Sequence, residues 1–374
     1  AAAMQAAEGA ADTRVEPFVA ADGIGILAHG PPRAGETPQA HIRRLADIVG
    51  RAFAADALNP DNSTRARTML LARAGEPDAL ALAGLGGVLA PNHPSWVDPL
   101  GTSLGLGSAS TDAIAMRAAA ARAGPLRVAV LANADSAQGE AAVRAVDRWV
   151  ARRPGEGRSC PAVPMLAPPR PGTYAVELPA SAPSEAFLAL PLVVGDEAER
   201  AAATCTAMAL DGAGGLLARA VGATVRGDAS GKPLAHAWSA AVIGAPRSPA
   251  LVIRLVAADT SLDAAVAQTR GLLERLHQGA LHEEDRARAM AALERDTVAA
   301  SLDPRARTID LWRGKFVSSP PSLDALRTFA SAVLRDEALI IIALRPARGE
   351  SERPSAASES RTTSRESSGV DYLR

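Results

Sequence analysis

"RARTMLLA" fills residues 65–72 and "RARAMAAL" fills residues 286–293. One helical phrase, written twice, sets the frame for the whole chain. Each copy follows a short apolar strand, "GIGILAHG" (23–30) and "ALVIRLVA" (250–257). Each strand leads into a helix. In the first, Thr37 is the expected N-cap, Pro38 opens the helix, and Ile42, Leu45, Val49 and Phe53 share one face. In the second, Ser261 is the expected cap, and Leu262, Val266, Leu272, Leu273 and Leu276 form the stripe. After the Arg-Ala-Arg helix comes a further helix, "EPDALALAGLGGVLA" (76–90) or "DPRARTIDLWRGKFV" (303–317). Both copies close on helix, turn and strand. The closing strands are "LRVAVLA" (126–132) and "ALIIIAL" (338–344), continuous apolar runs suited to burial on both faces. The ordered set predicts a duplicated domain that mixes helices with a sheet.

The chain has 374 residues, room for two ordinary domains. Hydrophobic residues are 48% and aromatics 3%, so Ala, Leu and Val must build the cores. Heavy use of Ala and Arg with little Lys suggests a GC-rich bacterial source. A formal net charge of −1 gives no field that would gather nucleic acid or an anionic membrane. No apolar run reaches the ~20 residues of a membrane span. The opening stretch lacks the basic start and apolar centre of a secretory leader. With no initiator Met, a longer parent sequence is expected. Cys160 and Cys205 are too few for a disulfide framework. They are either free or joined in one bridge. The compartment, cytoplasmic or periplasmic, stays open.

The expected division is an N-terminal unit over 1–150, a linker over 151–172, a C-terminal unit over 173–347 and a tail over 348–374. The linker is rich in Pro and Gly and has no period. The tail is Ser-rich and polar, hence expected to be disordered. The second unit carries a prelude at 173–244, read as two strands, two helices and a strand. The first unit has only residues 1–22 in that place, so its start is incomplete.

This order resembles the insulinase/pitrilysin family of metallopeptidases (inverzincins). The carriers are "HIRRLADIVGRAF", the run from "GEPDALALAGLGG" through "NHPSWVDPLGTSLGLG" to "LRVAVLANAD", and, in the second half, "AERAAATCTAMALDGAGGLLARAVG" and "LHQGALHEEDRARAMAALERD". The resemblance implies an α+β fold of two homologous domains. Each is a mixed β-sheet with helices packed on one face, and the pair forms a clamshell that admits extended peptide. Active relatives use zinc held by His-x-x-Glu-His and by a Glu on a later helix.

This chain has no His-x-x-Glu-His. The nearest cluster is His277 and His282 in "HQGALHEED", where Gly279 suggests a turn and not a metal site. The third ligand is the better test, because its segment is present. The pattern would place a Glu near Thr68 or Met69, yet no Glu occurs between Ala54 and Gly75. Asp61 stands nearby where a helix cap is expected. No catalytic and no metal-binding residue is therefore assigned, and no cofactor; zinc belongs to the active relatives.

In the second domain, active relatives hold the substrate carbonyl with an Arg and a Tyr. Here His236 stands at the Tyr position and Lys232 is the closest cation, so these two are the candidate substrate-binding residues. The competing reading of His236 is a half-exposed strand histidine. "DGAGGLLAR" lacks the Lys-Ser/Thr ending of a nucleotide loop and reads as close helix packing. The resemblance thus implies a non-catalytic member that binds extended peptide or supports a zinc-carrying catalytic subunit. Two alternatives stand beside it: an active zinc endopeptidase whose signature lies outside this sequence, and a purely structural subunit of a larger complex.

Overall fold

The computed structural model describes residues 12–20, 23–54, 60–90, 101–123, 127–131, 170–178, 183–212, 214–222, 233–245, 248–313 and 320–347, with isolated positions between 135 and 144. Most of the 151–172 linker, the whole 348–374 tail, Cys160 and Lys232 lie outside them.

The N-terminal half opens on a hairpin. β1 (Arg14–Ala20) pairs antiparallel with β2 (Gly23–His29), and Ala20 faces Gly23 across the two-residue connection. Helices follow: α1 (Pro38–Ala54), α2 (Pro60–Ala74), α3 (Pro77–Leu89), α4 (Ser103–Ser108) and α5 (Thr111–Ala123). Thr37 caps α1 as the sequence predicts: its hydroxyl accepts the Ala40 N–H at 3.2 Å. α1 buries Ile42 and Ile48, and Ile48 packs on Val15, Ile26 and Ala28 of the hairpin.

The C-terminal half holds a five-stranded mixed sheet in the order β3-β7-β4-β6-β5. Its strands are β3 (Gly172–Leu178), β4 (Ser184–Pro191), β5 (Ala237–Ala245), β6 (Ser248–Ala257) and β7 (Ile340–Pro346). Only β3 and β7 run parallel. Its helices are α6 (Glu197–Leu210), α7 (Asp259–His277), α8 (Glu283–Leu302), α9 (Pro304–Arg313) and α10 (Leu323–Val333), with a π-helical turn at Ala218–Gly222. No helix among the described residues is long and apolar enough to cross a membrane.

Strand alternation sorts the core into two layers. Leu188, Leu190, Leu251, Ile253, Leu255 and Ile341 face the helices of their own half. Cys205 is a free, buried thiol in that layer, and burial pushes its pKa up. Phe187, Ala189, Ala250, Val252, Ile340, Ile342 and Leu344 face the other way, against Ala81, Leu85 and Leu89 of α3. A helix of the N-terminal half therefore covers the second face of the C-terminal sheet. Helices on a single face describe each half's own helices only. This double burial explains why β4 and β7 read as unbroken apolar runs.

A charged junction fixes α3 on the sheet. The Arg254 guanidinium donates two bonds to the buried Glu185 carboxylate, at 2.7 and 2.8 Å, and a third to Asp78 in the first turn of α3. α9 repeats the arrangement in reverse. Pro77-Asp78 opens α3 and Pro304-Arg305 opens α9. Arg305 donates to Glu16 of β1 at 2.8 Å. Two helical turns after Asp78, Leu85 enters the sheet core; two turns after Arg305, Trp312 meets Phe18 of β1 edge-on at 4.9 Å. Each half lends a helix to the other.

Three sequence expectations are corrected. Ser261 is not the cap of α7. Ala258 holds that position, and the Ser261 hydroxyl donates to the Leu234 and Ala258 carbonyls. Asp61 lies inside the first turn of α2, after Pro60, where a carboxylate still complements the helix dipole. Residues 127–131 of "LRVAVLA" form no strand. In the C-terminal half, the matching β7 is held between β3 and β4. Among the described residues, no strand stands beside 127–131 as β3 and β4 stand beside β7.

Two outcomes follow from these contacts. Arg254→Ala strands a buried carboxylate and should lower unfolding free energy in urea by about 3 kcal/mol, while Arg254→Met with Glu185→Leu recovers most of it. At the base of α1, hydrogen bonds from Arg44 and from the Arg33 N–H hold the Glu36 carboxyl down at about 2. A depressed carboxylate stabilises above its ordinary value and loses that effect as pH falls. The Tm difference between wild type and Glu36→Gln should be constant above about pH 4.5 and vanish towards about pH 2.

Candidate functional site

Three places were singled out by sequence: the helix expected to carry a metal-binding Glu, the turn holding two histidines, and the strand beside His236. The structure keeps them as three separate local settings.

The first is α2, which forms where the sequence predicts and contains no Glu. Its middle carries Thr68 and Met69. The Thr68 hydroxyl is turned back on its own helix, donating to the Thr64 carbonyl at 3.1 Å. Met69 is 61% exposed. Neither residue offers an anionic oxygen. Asp61, the one carboxylate of the helix, stands two turns ahead of Thr68 in the first turn.

The second is the "HQGALHEED" turn. His277 ends α7 and His282 is the N-cap of α8. Gly279 between them has φ +90°, a conformation that favours glycine. The turn closes with bonds from the Ala280 N–H to the Arg275 carbonyl and from the Gly279 N–H to the Leu276 carbonyl, both 3.0 Å. This is a helix-ending turn. The acids beside it belong to α8: the Asp285 carboxylate accepts the His282 N–H at 3.2 Å. Burial alone would push Asp285 up. Bonds from Arg219, His282 and Arg288 outweigh it and hold the carboxyl below its usual range. Arg219 lies on the π-helical turn after "DGAGG", so these charges tie that turn to the start of α8. Among the described residues, no group of three His, Cys, Asp or Glu is placed to hold a metal ion.

The third is β5. The sheet order leaves it at an edge, paired with β6 alone among the described strands. His236 is exposed immediately ahead of it, and its backbone N–H donates to the Val256 carbonyl at 2.8 Å. The ring is therefore placed by the strand start, not by a side-chain network. Lys232 lies outside the described residues, so the two candidate residues are not seen together. Ala237, Ser239 and Ala241 are exposed on the face shared with α3. α3 lies over β7 and β3 and leaves this end of the sheet open.

Trp238, on the opposite face of β5, sets the strand's height. Its indole N–H donates to the Gly212 carbonyl at 3.3 Å, and its ring lies on Gly222. A Cβ at Gly222 would come within 2.3 Å of the ring. Sequence reading passed over this pair. Its only signal was a lone Trp at the head of a strand whose next three residues, Ser239, Ala240 and Ala241, are small.

No family profile matches the chain, and no curated protein matches it in sequence. Solved structures do match in shape. One is an inactive domain of a peptidase M16 from Pseudomonas fluorescens, at 14% identity and TM-score 0.68, covering 94% of this chain and 84% of that one. Another is a chain of complex III2 from Candida albicans, at 12% identity and TM-score 0.69, covering 89% and 82%. A third is the periplasmic protease PqqL from Escherichia coli, at 11% identity and TM-score 0.62, covering 91% of this chain but 40% of that one. At such identities the likeness establishes the fold, which is that of M16 peptidase-like domains.

Gly222→Ala should displace the Trp238 ring and cost about 1–3 kcal/mol in urea unfolding. Accelerated amide exchange along β5 should accompany the loss.

Proposed function

We propose that this chain, with its M16 (insulinase-type) peptidase fold, is a non-catalytic subunit that binds extended peptide or supports a zinc-carrying peptidase partner. The observation that carries the reading is α2, whose middle presents Thr68 and Met69 where a metal-binding carboxylate is required. A zinc ion needs three protein ligands and a water before the bound water is acidic enough to attack a peptide. The described residues supply no such set.

The division at 1–150, 151–172, 173–347 and 348–374 belongs to the same reading, with the repeat as its support. The likeness to an inactive M16 domain supports the absence of catalysis. Peptide would be taken along the open edge of β5. Its backbone groups, which face no other described strand, would accept an added one, and His236 stands at its start to donate one hydrogen bond. A second reading, a purely structural subunit, is supported by the likeness to a chain of complex III2.

Purified chain should hold no stoichiometric zinc by metal analysis and cleave no peptide. Added to a partner carrying His-x-x-Glu-His, it should raise that partner's peptide hydrolysis. Stoichiometric zinc with hydrolysis by the chain alone would establish the active-enzyme reading instead. Binding without stimulation would favour the structural subunit.

A further inference from the structure

At its open end, the β1–β2 hairpin borders a cavity of about 870 Å³. Among the described residues, one wall comes from the chain entering β1, with Thr13 and Arg14. The other comes from the chain leaving β2, from His29 to Ala34. A volume of that size suits a small molecule or the end of a peptide. The two walls meet closely: a Cβ at Gly30 would come within 2.4 Å of the Asp12 carbonyl oxygen. Pro31 and Pro32 stiffen the second wall and bring it no N–H group. Recognition there therefore falls to side chains.

α1 braces both walls. The Arg44 guanidinium donates to the Thr13 hydroxyl at 2.6 Å and to the Pro31 carbonyl at 3.2 Å, one bond to each wall. Glu36 holds Arg44 through its Nε at 2.8 Å and accepts the Arg33 N–H at 2.8 Å. The cations that face the cavity are held more loosely. Arg33 pairs with Asp12 through Nε at 3.0 Å, and Arg14 pairs with Glu16 through Nε. The terminal nitrogens of both guanidinium groups donate to no described residue. Glu16 is also matched by Arg305 at 2.8 Å, which leaves Arg14 as a surplus cation. His29 adds an Nε2 that is buried and without a hydrogen-bond partner among the described residues; the Glu16 carboxylate lies 3.8 Å from it. An unsatisfied polar atom in a cavity wall marks a place where a bound group completes the structure.

We propose that this cavity is a carboxylate-binding site. Its ligand is a carboxylate on a short apolar body, carried by a free organic acid or by the C-terminal end of a peptide. One carboxylate matches the one surplus positive charge. The free fork ends of Arg14 and Arg33 offer it charge-assisted hydrogen bonds. Pro31, Pro32 and Ala34 supply apolar surface for the body of the ligand. A phosphate dianion fits less well, because Asp12 and Glu16 stay beside the same arginines. Arg44 and Glu36 are positioning residues that hold the walls apart. The site belongs to the N-terminal hairpin, not to the β5 edge, and does not depend on the chain being inactive.

The test is calorimetric titration of the full chain with N-acetyl-Ala-Ala-Leu, with the same peptide amidated at its C-terminus, with hexanoate and with inorganic phosphate. The free-acid peptide should bind and its amide should not. Arg14→Gln/Arg33→Gln, altered only at exposed side chains, should weaken binding about tenfold or more. Arg43→Gln, which removes an exposed arginine of α1 outside the cavity, should leave binding unchanged. Circular dichroism should show both variants folded as the wild type. Hexanoate binding as tightly as the peptide supports the site and makes a free organic acid its source; much weaker hexanoate binding supports the site and makes a peptide end its source. Equal binding of the amide, phosphate binding as tightly as the carboxylates, equal loss with Arg43→Gln, or no binding of either carboxylate would overturn the site.

Discussion

The fold depends on a helix that leaves its own half. α3 lies on a sheet made entirely by residues far along the chain, and the Arg254–Glu185–Asp78 junction fixes it there. Burying Glu185 without Arg254 would cost several kcal/mol. The salt bridge does not supply the net attraction. Leu85, Leu89 and Ala81 do, by removing apolar surface from water on both partners. The junction instead fixes where along the sheet the helix sits. At Gly84 the helix lies close enough that a Cβ would sit in ordinary contact with Val176 and Leu344, at 3.7–3.9 Å.

From this exchange the remaining architecture follows. A sheet covered on both faces must be apolar on both faces, and β4 and β7 are. β5, at the end that α3 does not reach, can carry Ala and Ser outward and is left as an open edge. The N-terminal hairpin is too small to form a core by itself. It is held by α1 through Ile48 and by α9 through Trp312 and Arg305. Stability in the first half is thus borrowed from the second.

Much of this was legible in the sequence, and the rest was hidden for definable reasons. Local signals carried well. Thr37-Pro38 marked the start of α1, Gly279 broke α7 from α8, and the "ALIIIAL" run became β7. What failed needed knowledge of neighbours. Ser261 looked like a cap because capping preference is local, yet the Leu234 carbonyl was closer to its hydroxyl. "LRVAVLA" has the composition of a strand, but a strand exists only where another pairs with it. The exchange of helices left one trace: "PDALALAGLGGVL" is apolar nearly all round, the mark of a helix buried on more than one side. Of the candidate site, the missing Glu of α2 could be read from sequence alone. The open edge of β5 could not, because strand order is not written locally.

The two borrowed helices carry opposite signs at the same position: Asp78 meets a cation and Arg305 meets an anion. Were the helices to trade places during folding, Asp78 would confront Glu16 and Arg305 would confront Arg254. A molecule assembled from duplicated parts risks mistaking one part for the other. Here a single inverted charge serves as the key that lets each helix recognise its proper berth.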